Sequence, residues 1–478
     1  MSLPILLLWL VSIPILAHAV KFPDPLGYLL NCGGEEPVNV GDQKYLPDRV
    51  PVNSGEKFLV RTIYYYGGFD GGKEPPVFDQ IVEGTKWSTV NTTEDYNNGL
   101  TSYYEIVVVA TGRTLRVCLA RNGQTGNSSP FISALVVEHL DASLYNTTDF
   151  SKYALSTVAR STFGDEEDMI TFPDDKFNRL WQPFKDQNPV VSSHSNITSS
   201  DFWNLPPVKV FNNAITTSRG KPLKIQWPPV LLPGTNYYIS LYFQDVRSPS
   251  PFSWRVFDVS VNDKKFFTNL NVTTNGVTVY ATQWPLSGQT EITLTPADGI
   301  PVGPLINAGE VLQILPLGGR TQSRDVMAME DLARSFNNPP PDWSGDPCLP
   351  KENSWTGVTC SKRKYVSRVV SVNLTNAELS GSLPSSIANL TSLNHLWLGG
   401  NELSSTIPEM STLKELQTLH LEDNQFEGPI PQSLGQLPKL REIFLQNNNL
   451  DAKVPQTLQK RTGINIQVAS GNHQSQST

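Results

Sequence analysis

A tryptophan occupies an outward-facing position in the run LNHLWLGGNEL, residues 393–403. Leu393, Leu396 and Leu398 have the spacing of strand residues that point into a core, so Trp397, between the last two, points outward. Exposed aromatic rings with polar neighbours are the side chains that dominate protein-recognition surfaces. The run therefore predicts binding chemistry at Trp397.

Three further segments repeat this pattern. The four segments start 24, 23 and 24 residues apart, at Val369, Leu393, Leu416 and Leu440. Parallel strands stack about 4.8 Å apart, so equivalent side chains form continuous columns. One column contains Asn373, Trp397, His420 and Phe444, and its neighbour contains Thr375, Gly399, Glu422 and Gln446. We predict a protein-docking face made by Trp397, His420, Phe444, Glu422 and Gln446, with a dip at the glycine. The alternative is that Trp397 only packs against another part of the chain.

Asn373 begins an Asn-Leu-Thr sequon at the N-terminal end of the first column. A glycan on this asparagine would cover that end of the face, because N-linked glycans are bulky. A partner would then have to approach from the C-terminal side.

A second set of side chains, in the N-terminal part, is suited to carbohydrate. Sugar rings stack on aromatic faces, while carboxylates and amides take the hydroxyl groups. The possible carbohydrate-binding residues are Tyr65, Tyr66, Phe69, Asp70, Tyr103 and Tyr104. The alternative is that most of these rings belong to the core of a β-sandwich.

The sequence does not predict catalysis. The acidic run at 165–169 has the character of a solvated loop, and no Gly-x-Ser-x-Gly or His-Glu-x-x-His motif is present. His395 and His420 have no cluster of ligands nearby, so we expect neither a metal nor a cofactor. The net charge of −8 provides no basic field for phosphates, so we expect no nucleic-acid partner.

The N-terminus and the sequons predict export. Residues 3–17 are apolar and uncharged, and Ala17-His18-Ala19 fits a signal-peptidase site. The alternative is a buried N-terminal strand. We do not expect a transmembrane anchor, since the run is shorter than the roughly 20 residues that a bilayer needs. No later segment is apolar enough to span a membrane. Seven glycosylation sequons favour the same compartment: Asn91, Asn127, Asn146, Asn196, Asn271, Asn373 and Asn389. We therefore expect a secreted protein of the extracellular space.

Four cysteines fit an oxidising environment. Cys348 and Cys360 are close in sequence and form the expected disulfide, which leaves Cys32 and Cys118 as the second pair. Metal binding is the alternative, but the chain contains no CxxC motif.

The 24-residue period is the leucine-rich-repeat pattern. An asparagine closes three of the four segments, at Asn401, Asn424 and Asn448, where it can satisfy backbone groups between coils. The stretches SGSLP at 380–384 and EGPIP at 427–431 resemble the plant-specific subtype. Upstream, apolar residues from Val326 to Phe336 have helical spacing, with Asp325 as N-cap and Asn338-Pro339 as the stop. The following run, 342–360, resembles the disulfide-closed N-terminal cap of plant repeat ectodomains.

A fainter repeat divides the N-terminal part. VFDQIVEG at 77 returns as VFDVSVND at 256, and the stretches at 58 and 131 are echoed at 237 and 305. The three offsets are 179, 179 and 174 residues, in the same order. The strands are rich in β-branched and aromatic residues, which predicts two β-sandwiches in tandem.

Residues 25–318 resemble the tandem malectin-like domain of plant receptor-like proteins. The resemblance lies in YLLNCGG at 28–34, LVRTIYYYGGFDG at 59–71, PFISALVVEHL at 130–140, FPDDKFNRLW at 172–181 and VFDVSVND at 256–263. With the GDPC stretch at 345–348 and the repeats, the resemblance extends over nearly the whole chain. This order of modules is similar to that of receptor kinases of the symbiosis-receptor type. The predicted domains are a signal segment 1–19, lobes 20–185 and 186–320, a cap 321–365, four repeats 366–463 and a polar tail 464–478. The fold class implied is mainly β, two malectin-like lobes followed by a short α/β solenoid.

The resemblance implies a recognition function. Family members continue through a membrane helix into a kinase, but this sequence contains no Gly-rich nucleotide loop, His-Arg-Asp or Asp-Phe-Gly, so we expect no signalling from this chain by itself. The expected partners are a receptor kinase or co-receptor ectodomain, a cell-wall oligosaccharide or a small peptide. Membrane association through a partner or a longer gene product stays open. The second function predicted is a secreted wall-associated lectin in which the repeats are a spacer. The stretch GGRTQSRD at 318–325 is expected to be exposed.

Overall fold

The computed structural model describes most of the chain downstream of residue 51. The described residues are 52–68, 71–110, 115–126, 128–164, 169–193, 202–245, 255–343, 345–451 and 453–468, with the backbone of three short strands between 27 and 45. Several predicted features lie outside them: the signal segment, Cys32, Phe69, Asp70, Asn127, Asn196 and the tail from 469.

The first lobe consists of antiparallel strands and one short helix. In chain order these are β1 (Gly27–Leu30), β2 (Val38–Val40), β3 (Gln43–Tyr45), β4 (Lys57–Tyr64), β5 (Phe78–Val82), β6 (Thr85–Val90), α1 (Thr93–Asn97), β7 (Ser102–Val109), β8 (Val117–Arg121) and β9 (Ala134–Leu140).

The second lobe is also built from strands. They are β10 (Tyr153–Phe163), β11 (Gln182–Phe184), β12 (Val190–Ser192), β13 (Asn213–Thr216), β14 (Leu223–Gln226), β15 (Leu232–Phe243), β16 (Arg255–Val261), β17 (Lys264–Val272), β18 (Val277–Gly288), β19 (Glu291–Pro296), β20 (Leu305–Ile306) and β21 (Ala308–Pro316). A 3-10 turn spans Val208–Phe211.

One large sheet runs through both lobes, in the order β1-β9-β4-β7-β10-β21-β15-β18, and β11 joins β10 at the side. Smaller sheets lie over it, β6-β5-β8 in the first lobe and β14-β19-β16-β17 in the second. Apolar side chains fill the space between the layers, as for Val60 with Val82 and Leu241 with Val259. The alternation that predicts a half-buried strand is visible in β16, where Phe257, Val259 and Val261 point inward. The predicted β-sandwich fold class is confirmed.

The faint sequence repeat corresponds to a repeated topology. In each lobe the large sheet has the same order, β1-β9-β4-β7 and β10-β21-β15-β18, and the echoed stretches form β4 with β15, β9 with β21 and β5 with β16. The second lobe therefore begins with β10, and the division falls between residues 140 and 153 rather than at 185. The sequence placed it too late because the echoes do not include the first strand of either lobe.

The C-terminal part is a short solenoid. Its elements are β22 (Arg320–Thr321), α2 (Ser323–Ser335), β23 (Val358–Arg363), β24 (Val366–Asn373), β25 (Ser380–Ser382), β26 (His395–Trp397), β27 (Glu402–Thr406), β28 (Thr418–His420), β29 (Gln425–Gly428), β30 (Glu442–Phe444), β31 (Asn449–Leu450), α3 (Gln456–Gln459) and β32 (Asn465–Gln467). Further 3-10 turns span Lys351–Asn353, Ser385–Asn389 and Gln432–Gln436. β24, β26, β28, β30 and β32 form a parallel sheet, and β25-β27-β29-β31 form a second one behind it. β32 lies beyond the predicted end of the repeats at residue 463.

Three asparagines join the coils of the solenoid, as the sequence predicted. The Asn424 amide donates to the carbonyl oxygens of Leu398, Leu421 and Glu422 at 2.9, 3.2 and 3.0 Å. Its oxygen accepts from the Leu403 N–H at 2.9 Å. Asn401 and Asn448 make equivalent bonds one coil earlier and later. We call the sheet of β24, β26, β28, β30 and β32 the front sheet. Because these groups are buried, each asparagine fixes the turn that follows a strand of the front sheet.

Candidate functional site

The front sheet of the solenoid aligns the predicted column. β24, β26, β28 and β30 pair in parallel, with Asn373 beside Trp397, Trp397 beside His420 and His420 beside Phe444. Gln467 of β32 continues the row. The leucines on either side of the column are fully buried, so the column lies on the opposite, concave face.

The rings of this column contact one another in sequence. The ring centroids of Trp397 and His420 lie 5.9 Å apart, and those of His420 and Phe444 lie 4.5 Å apart with planes at 21°. His395, two residues before Trp397 and on the side of the column away from Gly399, has its ring centroid 5.2 Å from that of Trp397. All four rings are half-buried, so each keeps part of its surface in solvent. We call His395, Trp397, His420 and Phe444 the ring column.

Polar side chains hold these rings in place. The indole N–H of Trp397 donates to Thr418 Oγ1 at 2.7 Å, and His395 Nδ1 lies 2.9 Å from the same oxygen. His420 Nε2 lies 2.9 Å from Glu442 Oε1. Because these contacts already exist, the rings need little ordering when a partner binds.

The predicted dip at Gly399 is occupied. The Glu422 carboxylate lies over this glycine, where a Cβ atom would come within 2.5 Å of Glu422 Oε1. Glu422 Oε2 and Gln446 Oε1 are buried without a hydrogen-bond partner among the described residues. The prediction of an open dip was wrong because a glycine makes room for the longer side chain on the next coil.

The sequon asparagines that the structure describes are all exposed: Asn91, Asn146, Asn271, Asn373 and Asn389. Asn373 Oδ1 accepts hydrogen bonds from the backbone N–H and the hydroxyl of Thr375 at 3.2 and 3.0 Å. Glycosylation at these positions stays a prediction, and at Asn373 it would leave the half of the ring column around His420 and Phe444 open.

The predicted carbohydrate residues have different environments. Tyr66 is buried and packs against Tyr96 and Phe131, at 5.5 Å in both cases. Tyr104 packs edge-on against the buried Tyr64. These rings belong to the core of the first lobe, so the core alternative holds for Tyr66 and largely for Tyr104. Tyr65, in contrast, is 55% exposed.

Tyr103 lines a cleft where β7 of the first lobe meets β10 of the second. The cavity has a volume of about 390 Å³, and Asp95, Leu100, Arg160 and Gln182 contribute to its walls. The Gln182 amide donates to the Tyr103 hydroxyl at 2.6 Å. Burial raises the pKa of Tyr103 to about 12, so its hydroxyl stays protonated near neutral pH.

A row of alternating charges continues from Glu105 and Arg160, which line this cleft, into the interior of the lobes. Arg61 pairs with Glu105 across β4 and β7, Arg160 bridges Glu105 to Glu310, and the Arg160 Nε–Glu310 Oε1 distance is 2.7 Å. All four side chains are buried. Burial by itself would raise the pKa of Glu105 and of Glu310, but the neighbouring guanidinium groups outweigh it and hold both values below the usual range. We call Arg61, Glu105, Arg160 and Glu310 the charge row.

One buried carboxyl beside this row lacks a cationic partner at bonding distance. Glu138 Oε1 accepts from the Asn178 amide at 2.8 Å, while its Oε2 has no hydrogen-bond partner among the described residues. Burial raises the pKa of Glu138 to about 7. The described residues contain no group of three or more His, Cys, Asp or Glu side chains arranged to hold a metal ion.

Comparison with known families settles the architecture. The family model of the malectin-like domain matches residues 49–314, more than half of the chain. The chain belongs to the malectin-like domain family. The models of the leucine rich repeat N-terminal domain and of the leucine rich repeat match residues 323–361 and 415–437.

Similar proteins include receptor-like kinases. A probable LRR receptor-like serine/threonine-protein kinase of Arabidopsis thaliana is 31% identical over 411 residues, which cover 80% of this chain and 42% of that protein. A second protein of the same description and organism is 28% identical over 366 residues, covering 74% and 40%. This chain therefore spans about two fifths of the length of these relatives. In solved structures, the ANX2 ectodomain of the same organism has a TM-score of 0.50 at 14% identity, over 60% of this chain and 96% of that one, which shows a shared fold.

The cap of the repeats has the disulfide that the sequence predicted, Cys348–Cys360. Trp343 and Trp355 stack beneath it at 5.2 Å. The predicted helix is present as α2, but Asp325 is not its N-cap. Gln322 precedes the helix, and the buried Asp325 carboxylate accepts from Arg368 at 2.8 and 3.0 Å. The helix ends at Ser335, three residues before the predicted stop.

The cap contacts the first malectin-like lobe. Thr85 Oγ1 accepts from the Gly318 N–H at 3.0 Å, and Arg116 lies 3.8 Å from Glu330 of α2. The stretch 318–325 was expected to be exposed, and Arg320, Ser323 and Arg324 are, whereas Thr321 and Asp325 are buried. The backbone N–H groups of Arg320 and Gln322 donate to the carbonyl oxygens of Tyr365 and Ser367 at 2.9 and 3.0 Å. The stretch is therefore held by its backbone while several of its side chains remain exposed.

Cys118 lies at this contact, beside Gly345 of the GDPC stretch. A Cβ atom at Gly345 would be 3.0 Å from the sulfur. Among the described residues Cys118 has a free thiol, and burial raises its pKa. Its expected partner Cys32 lies outside the described residues, so that disulfide stays a prediction. No helix in the described ranges is both long and apolar enough to cross a membrane.

Proposed function

We propose that this chain is the recognition part of a receptor-like protein and that its solenoid docks a partner receptor ectodomain. The observation that carries the proposal is the ring column, four aromatic rings in mutual contact on the concave face with part of each ring in solvent. Aromatic anchors with polar neighbours supply most of the binding free energy in protein interfaces. The solenoid is short, so it suits the side of a second folded domain better than it would enclose a ligand alone.

The malectin-like relatives support this proposal. Those compared are receptor-like kinases, and the part of them that resembles this chain is about two fifths of their length. We place the protein outside the cell, at the cell surface or in the wall space, with membrane attachment supplied by a partner or by a longer gene product. We expect no catalysis by the regions described here.

The test is capture of a partner from plant membrane extract by the glycosylated full chain. The Trp397→Ala, Phe444→Ala double variant removes the centre and the end of the ring column. Tyr365→Ala is the matched control, because Tyr365 is an exposed ring of the same solenoid, at 56% exposure, outside the column. We expect mass spectrometry to identify a receptor ectodomain that the native chain and the control retain and the double variant loses. Equal retention by all three chains would refute the docking role.

A second candidate function is carbohydrate binding in the cleft beside Tyr103. The cleft combines an aromatic ring with an amide and a carboxylate, from Gln182 and Asp95, which suits sugar rings and their hydroxyl groups. In this case the chain would be a wall-associated lectin and the solenoid a spacer, and a small peptide could compete for the same cleft. Glycan-array binding that is lost in Tyr103→Ala and retained in the double variant of the ring column would favour this function.

A further inference from the structure

The concave face carries negative charge beside its rings. Glu422, Asp423 and Glu442 stand at face positions of the third and fourth coils, and the equivalent positions of all four coils contain no lysine or arginine. Glu442 is one-third exposed, at 33% of its side chain. The nearest cation in sequence, Arg441, directly precedes β30 and is exposed. The docking face proposed above is therefore complementary to a cation.

Two acceptor oxygens of this face have no donor. Glu422 Oε2 and Gln446 Oε1 are buried and unpaired among the described residues, and they belong to the same position of consecutive coils. A buried acceptor without a partner destabilises the free protein, so a donor that reaches it improves binding by more than an ordinary surface hydrogen bond. Both residues are only partly buried, so a turn of either side chain presents its acceptor on the face, where neighbouring strands lie about 4.8 Å apart and one group with several N–H donors can bridge them.

A guanidinium group fits these requirements better than an ammonium group. It is planar, it stacks on aromatic rings, and it carries five N–H donors in a fixed arrangement. Trp397, His420 and Phe444 supply the stacking surface, and Glu422 and Glu442 supply the carboxylates beside it. A partner carboxylate or phosphate would meet like charge at the same place.

We infer that the concave face recognises an arginine side chain of the partner, stacked on the ring column and paired with Glu422 and Glu442. The inference rests on the proposed docking function and specifies the chemistry of its partner. It also fits an approach over the C-terminal coils, since both carboxylates lie at the end opposite the Asn373 sequon.

The experiment uses three acetylated, amidated peptides of the same length: tetra-arginine, tetra-lysine and tetra-citrulline. Citrulline has the shape of arginine without its charge. Binding to the glycosylated full chain is measured by calorimetry at low and at physiological salt. The test variant is Glu422→Gln, Glu442→Gln. Its matched control is Glu402→Gln, Glu427→Gln, which removes the same charge from exposed positions of β27 and β29 on the rear sheet.

We expect tetra-arginine to bind more tightly than tetra-lysine and tetra-citrulline to bind weakly. The test variant should weaken tetra-arginine binding about tenfold, since two charge-assisted contacts are lost, whereas the control should change it less than twofold. Trp397→Ala should weaken it as well. Equal loss in the test variant and the control would show attraction by net charge alone and overturn the inference, as would equal binding of citrulline.

The two proposals fail differently. If the partner captured from membranes is lost in the ring-column variant but retained by Glu422→Gln, Glu442→Gln, docking stands and the arginine inference is wrong. If the ring-column variant retains the partner, the docking function itself is wrong, whatever the peptides show.

Discussion

Replacing Arg160 by methionine should strongly destabilise the junction of the two lobes. Its side chain is completely buried, and it bridges Glu105 of β7 to Glu310 of β21. After the change Glu105 keeps its bond from Arg61, at 2.8 Å from Nε, but Glu310 keeps only the hydroxyl groups of Tyr145 and Tyr242, both at 2.6 Å. Removing one partner of a buried ion pair costs about 3–5 kcal/mol, and we expect the free energy of unfolding to fall by that amount.

The loss should depend on pH in a defined direction. In the native protein the pKa of Glu310 is lowered, so its stabilising contribution is present above the unfolded pKa of about 4.3 and disappears as the pH falls through the folded value. In the variant only Arg179 and the tyrosine hydroxyl groups oppose the effect of burial, so the pKa of Glu310 rises. The folded variant then binds a proton that the unfolded chain releases, so its stability decreases as the pH rises. The gap between native protein and variant should therefore be larger at pH 8 than at pH 5.

Urea unfolding followed by circular dichroism at pH 5, 6.5 and 8 measures this gap. Arg160→Met combined with Glu310→Gln is the informative second variant, because it removes the orphaned charge and should recover much of the stability. Lys152→Met removes an exposed ion pair with Asp149 and should have little effect. A loss below about 1 kcal/mol, or a gap that does not change with pH, would refute the electrostatic account of the junction.

Three further predictions concern single positions. Glu138→Gln should raise the free energy of unfolding at pH 8 by about 1–3 kcal/mol and leave it nearly unchanged at pH 4. Because the pKa of Glu138 is about 7 in the folded protein, the native chain loses stability as the pH rises from about 4.3 to 7. Urea unfolding at both pH values checks this. Asn424→Ala should cost about 2–4 kcal/mol, since it leaves buried backbone groups of two coils unpaired, whereas alanine at the exposed Asn447 should cost much less; thermal unfolding compares the two. Gly381→Ala should destabilise the solenoid more than Gly399→Ala. At 381 the φ is +114° and the new Cβ would come within 2.2 Å of the Ser335 carbonyl oxygen, whereas the Cβ at 399 meets only the movable end of Glu422. Equal melting temperatures of the two variants would contradict this.

The solenoid was the most predictable part of the structure. Leucines at strand spacing, and an asparagine at the end of three of the four coils, determine where each strand points, so the column of Trp397, His420 and Phe444 followed from the period alone. The contacts around it did not follow. Thr418 and Glu442 are ordinary polar residues in sequence, and only the stacking of coils brings them to the rings.

The lobes were harder to predict because their important contacts are distant in sequence. The charge row joins Arg61, Glu105, Arg160 and Glu310, which lie on four strands, and nothing local indicates that these charges are buried together. Tyr65 and Tyr66 are neighbours in sequence and follow the end of β4, yet Tyr66 is buried and Tyr65 is exposed. The aromatic and polar residues around Tyr103 did indicate a binding cleft in the sequence. The strand on its other side, β10, could not be identified from the sequence of β7.

The nine-stranded sheet has a consequence for how any ligand is received. β7 and β10 meet by backbone pairing of Val107 with Leu155 and Ile106 with Ser156, within an unbroken sheet, and the charge row crosses the same boundary. Two-domain binding proteins often swing about a hinge and close over their ligand. Here the joint consists of interior strands, so the walls of the cleft are already in their final positions when a ligand arrives. A ligand of this cleft would therefore be selected by its fit to a preformed site, with little conformational entropy lost on binding. Any response to binding would come from the contacts of the bound ligand rather than from closure of the lobes.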